Sequence, residues 1–176
     1  MNVAMHDETE TLKNGTKVCV RCIRPEDKNR VSDVFKKLAP ESIFLRFFHK
    51  KNALTDADLK WATEVDNENI YALVVTVGKG ESETIIGGGR YVRLDGAAEQ
   101  GTAEVAFIVD EAFRQQGIAG MLLRHLAGIA RAKGVRRFSA EVLPRNRGML
   151  AVFSKSGYTI TTRSDGDTVH VTLSLP

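Results

Sequence analysis

The sequence predicts an α/β protein of the mixed (α+β) kind, with one sheet of about seven strands and helices on both faces. Three observations lead there. The apolar period switches along the chain in the order strand, two or three helices, three strands, helix, strand, helix, two strands. Residues 103–120 run a strand into a glycine-containing loop that opens onto a helix. The 176 residues have the apolar and charged fractions of an ordinary globular protein, enough to bury one good core.

Taken in order, residues 1–16 are polar and acidic at their start and read as a flexible lead-in, with 17–176 as one domain. Residues 17–23 alternate as a strand. Pro25 and the acids Glu26 and Asp27 suit a helix start, and Val31, Val34, Phe35 and Leu38 continue it as an apolar stripe. Pro40 ends that helix, and a second runs from Glu41 to about Phe48. Thr55 with Asp58 forms a capping-box pattern for a third, through Leu59 and Trp61 to about Val65. Leu45, Phe47, Phe48 and Trp61 read as core.

Ile70–Val77 is a largely apolar strand, and Thr84–Leu94 another. Gly87-Gly88-Gly89 interrupts the second and is followed by more strand, so it reads as a bulge or a close backbone approach rather than a phosphate loop. Thr102–Val109 is the next strand. Ile118, Leu122, Leu126 and Ile129 form one stripe of the following helix, which Gly134 stops. His125 on that helix reads as a surface or packing residue. Phe138–Val142 alternates, Asn146 caps a last helix that Gly157 ends, and Tyr158–Thr162 with Thr168–Leu175 closes as a hairpin.

Charge is uneven. From Arg114 to Lys155 there are nine basic residues and one acid, Glu141, a net +8 in a chain of net +3. A polyanionic ligand suits that stretch. No nucleic-acid motif or aromatic interleaving accompanies it, and no apolar run approaches the ~20 residues of a membrane span. A cytoplasmic protein is expected. Cys19 and Cys22 have Cys-x-x-Cys spacing, but three residues apart on a strand they face opposite ways, which favours neither a shared metal nor a disulfide.

The chemistry concentrates in 103–120. A helix start fed by a glycine loop offers unpaired N–H groups and a positive dipole end to an anion. Glu104 is a carboxylate inside a strand, on the face of Ala106 and Ile108. It is either a working base or a solvated or ion-paired residue, with Arg90 or Arg93 as partner. His49, Lys50 and Lys51 read as a solvated loop rather than an acceptor lining.

Arg114-x-x-Gly117-x-Ala119, then Asn146 followed by Phe153, Gly157 and Tyr158, resembles the GNAT superfamily of acetyl-CoA-dependent N-acetyltransferases, over residues 17–175. Arg24-Pro25-Glu26-Asp27, Leu38-Ala39-Pro40-Glu41-Ser42, Leu45-Arg46-Phe47-Phe48, Ala103-Glu104-Val105-Ala106-Phe107 and Asn146-Arg147-Gly148-Met149 are similar to the acetyltransferase domain of bacterial Pat-type protein lysine acetyltransferases. The resemblance implies a twisted, mostly antiparallel sheet, acetyl-CoA as co-substrate and no metal. It implies a protein acceptor with a reactive lysine, such as an acyl-CoA synthetase. Several relatives carry a further regulatory or synthetase-like domain, for which this length leaves no room.

Residue by residue, the resemblance implies that backbone N–H groups of Gln115, Gln116, Gly117, Ile118, Ala119 and Gly120, beside Arg114, cradle the pyrophosphate. Exposed backbone at Phe107, Ile108 and Val109 would bond the pantetheine arm and polarise the thioester carbonyl. Asn146 would hold the pantetheine or the last helix, and Glu104 would be the general base. Many relatives have a Tyr seven residues after the Asn as acid for the leaving thiolate; here it is Phe153, and Tyr158 more readily packs. Two other functions stay open. A small-amine acetyltransferase would have a closed acceptor pocket where a protein acetyltransferase has a wide groove. An acyl-CoA-binding module would not turn over.

Overall fold

The computed structural model describes residues 6–48 and 51–176. In chain order the elements are β1 (Asp7–Thr11), β2 (Lys17–Cys22), α1 (Lys28–Lys37), α2 (Pro40–Phe47), α3 (Asp56–Thr63), β3 (Ile70–Val77), β4 (Thr84–Arg93), β5 (Thr102–Val109), α4 (Ile118–Ala132), β6 (Arg137–Val142), α5 (Arg147–Ser154), β7 (Thr159–Asp165) and β8 (Thr168–Ser174). They form one eight-stranded sheet in the order β1-β2-β3-β4-β5-β6-β8-β7. Every neighbouring pair is antiparallel except β5 and β6.

The expectation of seven strands and a flexible lead-in is corrected at β1. Asp-Glu-Thr-Glu-Thr has no apolar alternation, and its side chains are exposed or half-exposed. It holds by its ladder to β2 and by polar contacts: Lys17 Nζ donates to Thr11 Oγ1 at 2.9 Å, and Cys19 Sγ to Asp7 Oδ1 at 3.1 Å. A short, charged strand at the sheet edge also discourages pairing with another chain. Cys19 and Cys22 are not joined as a disulfide; Cys22 Sγ lies 2.9 Å from the Tyr71 hydroxyl.

Period-2 alternation sorts β3, β4 and β5 onto two faces. Tyr71, Leu73, Val75, Tyr91, Val105 and Phe107 pack with Leu122, Leu126 and Ile129 of α4 in the main core. The opposite face carries the helical layer α1–α3, with a smaller cluster of Phe35, Leu38 and Ile43 against Ile108. Pro40 opens α2 as its first residue, where a missing N–H costs nothing. The Thr55–Asp58 capping box forms as the sequence predicts: Asp58 N–H donates to Thr55 Oγ1 at 3.1 Å and Thr55 N–H to Asp58 Oδ2 at 2.9 Å. Phe48 (40% exposed) and Trp61 (54% exposed) are surface residues, which corrects their reading as core.

The triple glycine is a close approach, with a bulge beside it at Ile86. Val75 pairs with Gly87 and Thr76 with Ile85, so Ile86 is the extra residue. A Cβ on Gly89 would lie 2.7 Å from Phe107 Cδ1, 2.9 Å from its Cε1 and 3.2 Å from Leu126 Cδ1. Gly89→Ala therefore overpacks the core under α4, and a loss of about 1–3 kcal/mol is expected in urea denaturation. A loss within ~0.5 kcal/mol, the range of ordinary surface changes, would show that Phe107 moves freely.

Candidate active site

The site starts from a break in the sheet. β5 and β6 pair at Thr102↔Arg137, Ala103↔Phe138 and Glu104↔Ser139, and pairing stops there. β5 continues to Val109, still laddered to β4 on its other side, and β6 continues through Ala140 to Val142. Between the diverging strands lies a cleft of ≈ 730 Å³. It is lined by Val105–Val109 on one wall and Ala140–Val142 with α5 on the other, and closed by the loop before α4. Backbone groups of β5 that face this gap have no strand to bond, so a ligand arm can add to the edge.

The loop is shaped for an anion. Gln115 has φ 63° and Gly117 φ 88°, two left-handed residues that turn successive N–H groups to one side. A non-glycine residue rarely adopts such a φ. The first intrahelical bond is Met121 N–H to Gly117 O at 3.0 Å, so the N–H groups of Ile118, Ala119 and Gly120 precede the ladder and sit at the positive end of α4. Arg114, Arg145, Arg147 and Lys155 line the same cleft. Arg114 Nη2 donates to Ser42 Oγ, and Arg145 pairs with Glu41 at 2.8 Å, tying both arginines to α2.

Of the residues read from the sequence, Phe107, Ile108, Val109, Arg114, Gln115, Gly117, Ile118, Ala119, Gly120 and Asn146 all line the cleft. Gln116 does not. Its Oε1 accepts from Asn14 N–H at 2.9 Å and its carbonyl from Lys13 N–H at 3.5 Å, so it faces the β1–β2 turn and braces the loop from behind. Asn146 is an N-cap, accepting from Met149 N–H at 3.2 Å, and lines the cleft as well.

Glu104 stands where the two strands part, exposed, one residue short of the cleft wall. Among the described residues it forms no ion pair. Arg93 instead donates to the Lys133 carbonyl at 2.8 Å, and Arg90 stacks on Trp61. The charge nearest in effect is Arg46 on α2: burial pulls its pKa below the usual arginine value and Glu104 opposes that. Phe153 is buried at 1% exposure against Phe107 and has no proton to give, and Tyr158 packs on the core outside the cleft lining.

Three lining residues escape sequence reading. Lys13 arrives from the β1–β2 turn, where a Cβ on Gly117 would sit 3.6 Å from its Cε. Ser42 and Arg46 come from α2. Ser42 and Arg46 fall in motifs of the Pat-type resemblance, but nothing local assigns any of the three to the site, since the fold alone carries them across about 60–100 residues of chain. His49 and Lys50 lie outside the described residues, while Lys51 pairs with Asp58 at 3.1 Å.

A second cavity, of ≈ 330 Å³, lies between α1–α3 and the sheet, meeting the cleft at Arg46, Ala106 and Ile108. Small residues floor it (Ala72, Gly88 and Ala106), and its walls are apolar apart from Arg46, Arg90, Lys51, Asp58 and Asp110.

The acetyltransferase (GNAT) family profile matches residues 37–158, more than half the chain, including the slot, the loop and α5. The chain belongs to the GNAT acetyltransferase family. The GNAT domain of S. lividans PAT has the same fold, with a TM-score of 0.88 and 33% identity, over 96% of this chain and 97% of that one. An acetyltransferase of Pseudomonas aeruginosa is 27% identical over 80% of this chain and 74% of its own. The acetyltransferase Pat of Mycolicibacterium smegmatis is 30% identical over 83% of this chain but only 42% of its own, so the GNAT chain described here spans less than half of that relative. Among the described residues no helix is long and apolar enough to cross a membrane.

Proposed function

We propose that the protein transfers the acetyl group of acetyl-CoA to the side-chain amine of a protein lysine, with an acyl-CoA synthetase as the target class. The observation that carries this is the slot. One wall of free strand edge, a cradle of α4 N–H groups in a cleft lined by six cationic side chains, and a carboxylate at the point where the strands part are what a thioester and an amine require together. The likeness to the GNAT domain of S. lividans PAT over nearly all of both chains supports the lysine reading.

In this reading the pyrophosphate lies across the N–H groups of Gln115 and of Gly117–Gly120, with Lys13 and Arg114 beside it. The β5 edge at Phe107–Val109 holds the pantetheine and polarises the thioester carbonyl. A lysine ammonium, with pKa near ~10.4, gives a proton to Glu104 directly or through one water. The freed nitrogen bonds to the carbonyl carbon to give a tetrahedral adduct, whose nitrogen passes its surplus proton to water as the C–S bond breaks, and the thiolate takes its own proton from water. Acetyl-CoA, this protein and a purified acyl-CoA synthetase are combined and the synthetase's intact mass measured. One added acetyl group is expected, and an unchanged mass removes that target class.

The second cavity supports another acceptor, a small amine that also bears an anion. Arg90 is buried at 8% exposure with its Nε and Nη2 unpaired, its guanidinium 3.6 Å from the Trp61 ring centroid. Burial first, and Arg46's charge second, lower its pKa to about 10, so it stays a cation at neutral pH. The nearby acids are engaged: Asp58 with Lys51 and the Thr55 cap, Asp110 with Ala112 N–H. Unpaired donors cost about 1–3 kcal/mol, and stacking on Trp61 returns about 0.5–2 kcal/mol. Arg90→Met is expected to leave Tm unchanged or higher while raising KM for a carboxylate-bearing amine. A lower Tm with unchanged KM would make Arg90 a packing residue.

A further inference from the structure

We propose that His6, Glu8 and His125 form a binding site for a divalent transition-metal ion, zinc by its ligand set, which clips the N-terminal strand to α4. His6 Nε2 lies 3.0 Å from His125 Nδ1, and Glu8 Oε2 lies 3.7 Å from that same nitrogen. All three ligand atoms fall within 4.8 Å of one another. A tetrahedral zinc with bonds of ~2.0–2.1 Å holds its ligand atoms about 3.3–3.4 Å apart. The observed spacings bracket that value. The two imidazoles cross at 80° with centroids 5.1 Å apart, so they converge on a shared point instead of stacking.

The outer contacts fit as well. His125 Nε2 lies 2.8 Å from Glu10 Oε1, and Arg124 holds that same oxygen at 2.8 Å. An ionised carboxylate only accepts, so Nε2 carries the hydrogen and Nδ1 presents its lone pair toward His6 and Glu8. A carboxylate behind a ligating histidine, fixing its tautomer, recurs at metal sites. Without metal, His6 Nε2–H donates to His125 Nδ1. With metal, the His6 proton moves to its other ring nitrogen and both lone pairs face the ion. Two imidazoles and one carboxylate suit zinc, with nickel and copper as competitors, and leave one position for water.

The site also has a structural purpose. β1 is exposed along most of its length, and the turn after it braces Gln116 behind the pyrophosphate loop. An ion joining β1 to α4 would secure both ends of that brace. His125 lies more than a hundred residues from His6 and Glu8, so no local motif marks the set, and the sequence-based expectation of no metal does not weigh it.

The test uses the untagged full chain, stripped with a chelator and desalted. Zinc sulfate at about a hundredfold over Kd is expected to raise Tm by about 5–10 °C, with one equivalent bound in calorimetry. His6→Ala and Glu8→Gln, both outside the core, are expected to melt like the metal-free wild type and to lose the zinc-dependent rise. Glu10→Gln is expected to bind about 10–100-fold more weakly. Cobalt(II) in place of zinc is expected to give a visible ligand-field band that His6→Ala abolishes. No rise in the wild type, or an equal rise in His6→Ala and Glu8→Gln, would overturn the site.

Discussion

Glu104→Gln is expected to lower kcat by about 10²–10⁴-fold at neutral pH while leaving the KM for acetyl-CoA and the Tm nearly unchanged. The split follows from position. Glu104 is exposed, forms no ion pair among the described residues and stands outside the cleft lining, so its loss removes neither packing nor a cofactor contact. It is also the last residue of β5 to pair with β6, which places its carboxylate where an incoming amine would meet the slot. Glutamine keeps the shape and loses only the proton acceptor. A second signature separates a base from a bystander: the deficit should shrink as pH rises toward the amine's own pKa near ~10.4, because solvent then supplies the free amine. Phe153 sharpens the expectation. With Phe153 in place of a tyrosine, the proposed mechanism leaves the thiolate to water and the lysine proton to Glu104. A rate within about threefold of wild type at pH 7, far below the range of general-base effects, would remove the assignment.

How far the sequence could be read depends on where its signals come from. β3 and β5 were legible to the residue, because Ile70–Val77 and Thr102–Val109 are apolar runs bounded by turn residues. The loop was legible because glycine, arginine and a helix start lie within a few positions of one another. β1 was not, since an edge strand buries almost nothing and leaves no apolar period. The splay was not, because it is a relation between two strands: nothing in Val105–Val109 or Ala140–Val142 shows that they part. Gln116 illustrates a finer limit. In a loop that alternates left- and right-handed residues, neighbours point in opposite directions, so one of six adjacent positions turned to the back while the others lined the cleft. Lys13, Ser42 and Arg46 reached the site only through tertiary structure. The acid–base reading of Glu104 rests on resemblance together with a geometry that permits it, whereas the anion cradle follows from backbone conformation.

The largest stability effect is expected at the buried charge cluster beneath the start of α1. Asp27→Asn should cost about 3–5 kcal/mol in chemical denaturation, because it removes the two-pronged carboxylate partner of a buried cation and leaves Glu83 as its one ion-pair partner among the described residues. Arg21 is 4% exposed and Asp27 fully buried. Arg21 Nη1 donates to Asp27 Oδ2 at 2.9 Å and Nη2 to Oδ1 at 2.8 Å, a two-pronged pair, while Nη2 also reaches Glu83 Oε1 at 2.8 Å. Arg24 N–H and Arg30 Nη1 complete the carboxylate's shell at 2.8 and 3.2 Å. The cluster thus joins β2, the entry to α1 and the β3–β4 turn, and so sets how the helical layer sits over the second cavity. Burial alone would raise the Asp27 pKa; the Arg21 hydrogen bonds, the Arg24 N–H and the surrounding cations outweigh it and hold the pKa below its ordinary value. The stabilisation is therefore complete above the unfolded carboxylate's pKa of ~3.9 and is lost as pH falls through the lower folded value. Wild type should lose stability on acidification below about pH 4, and Asp27→Asn should lose less there, having little of that linkage left. Arg21→Met with Asp27→Leu should recover most of the single-variant loss, since matched apolar groups can replace a buried pair at small cost. A double variant as unstable as Asp27→Asn would instead place the stability in the bonds of Asp27 to Arg24 and Arg30 and of Arg21 to Glu83, which the double variant also removes.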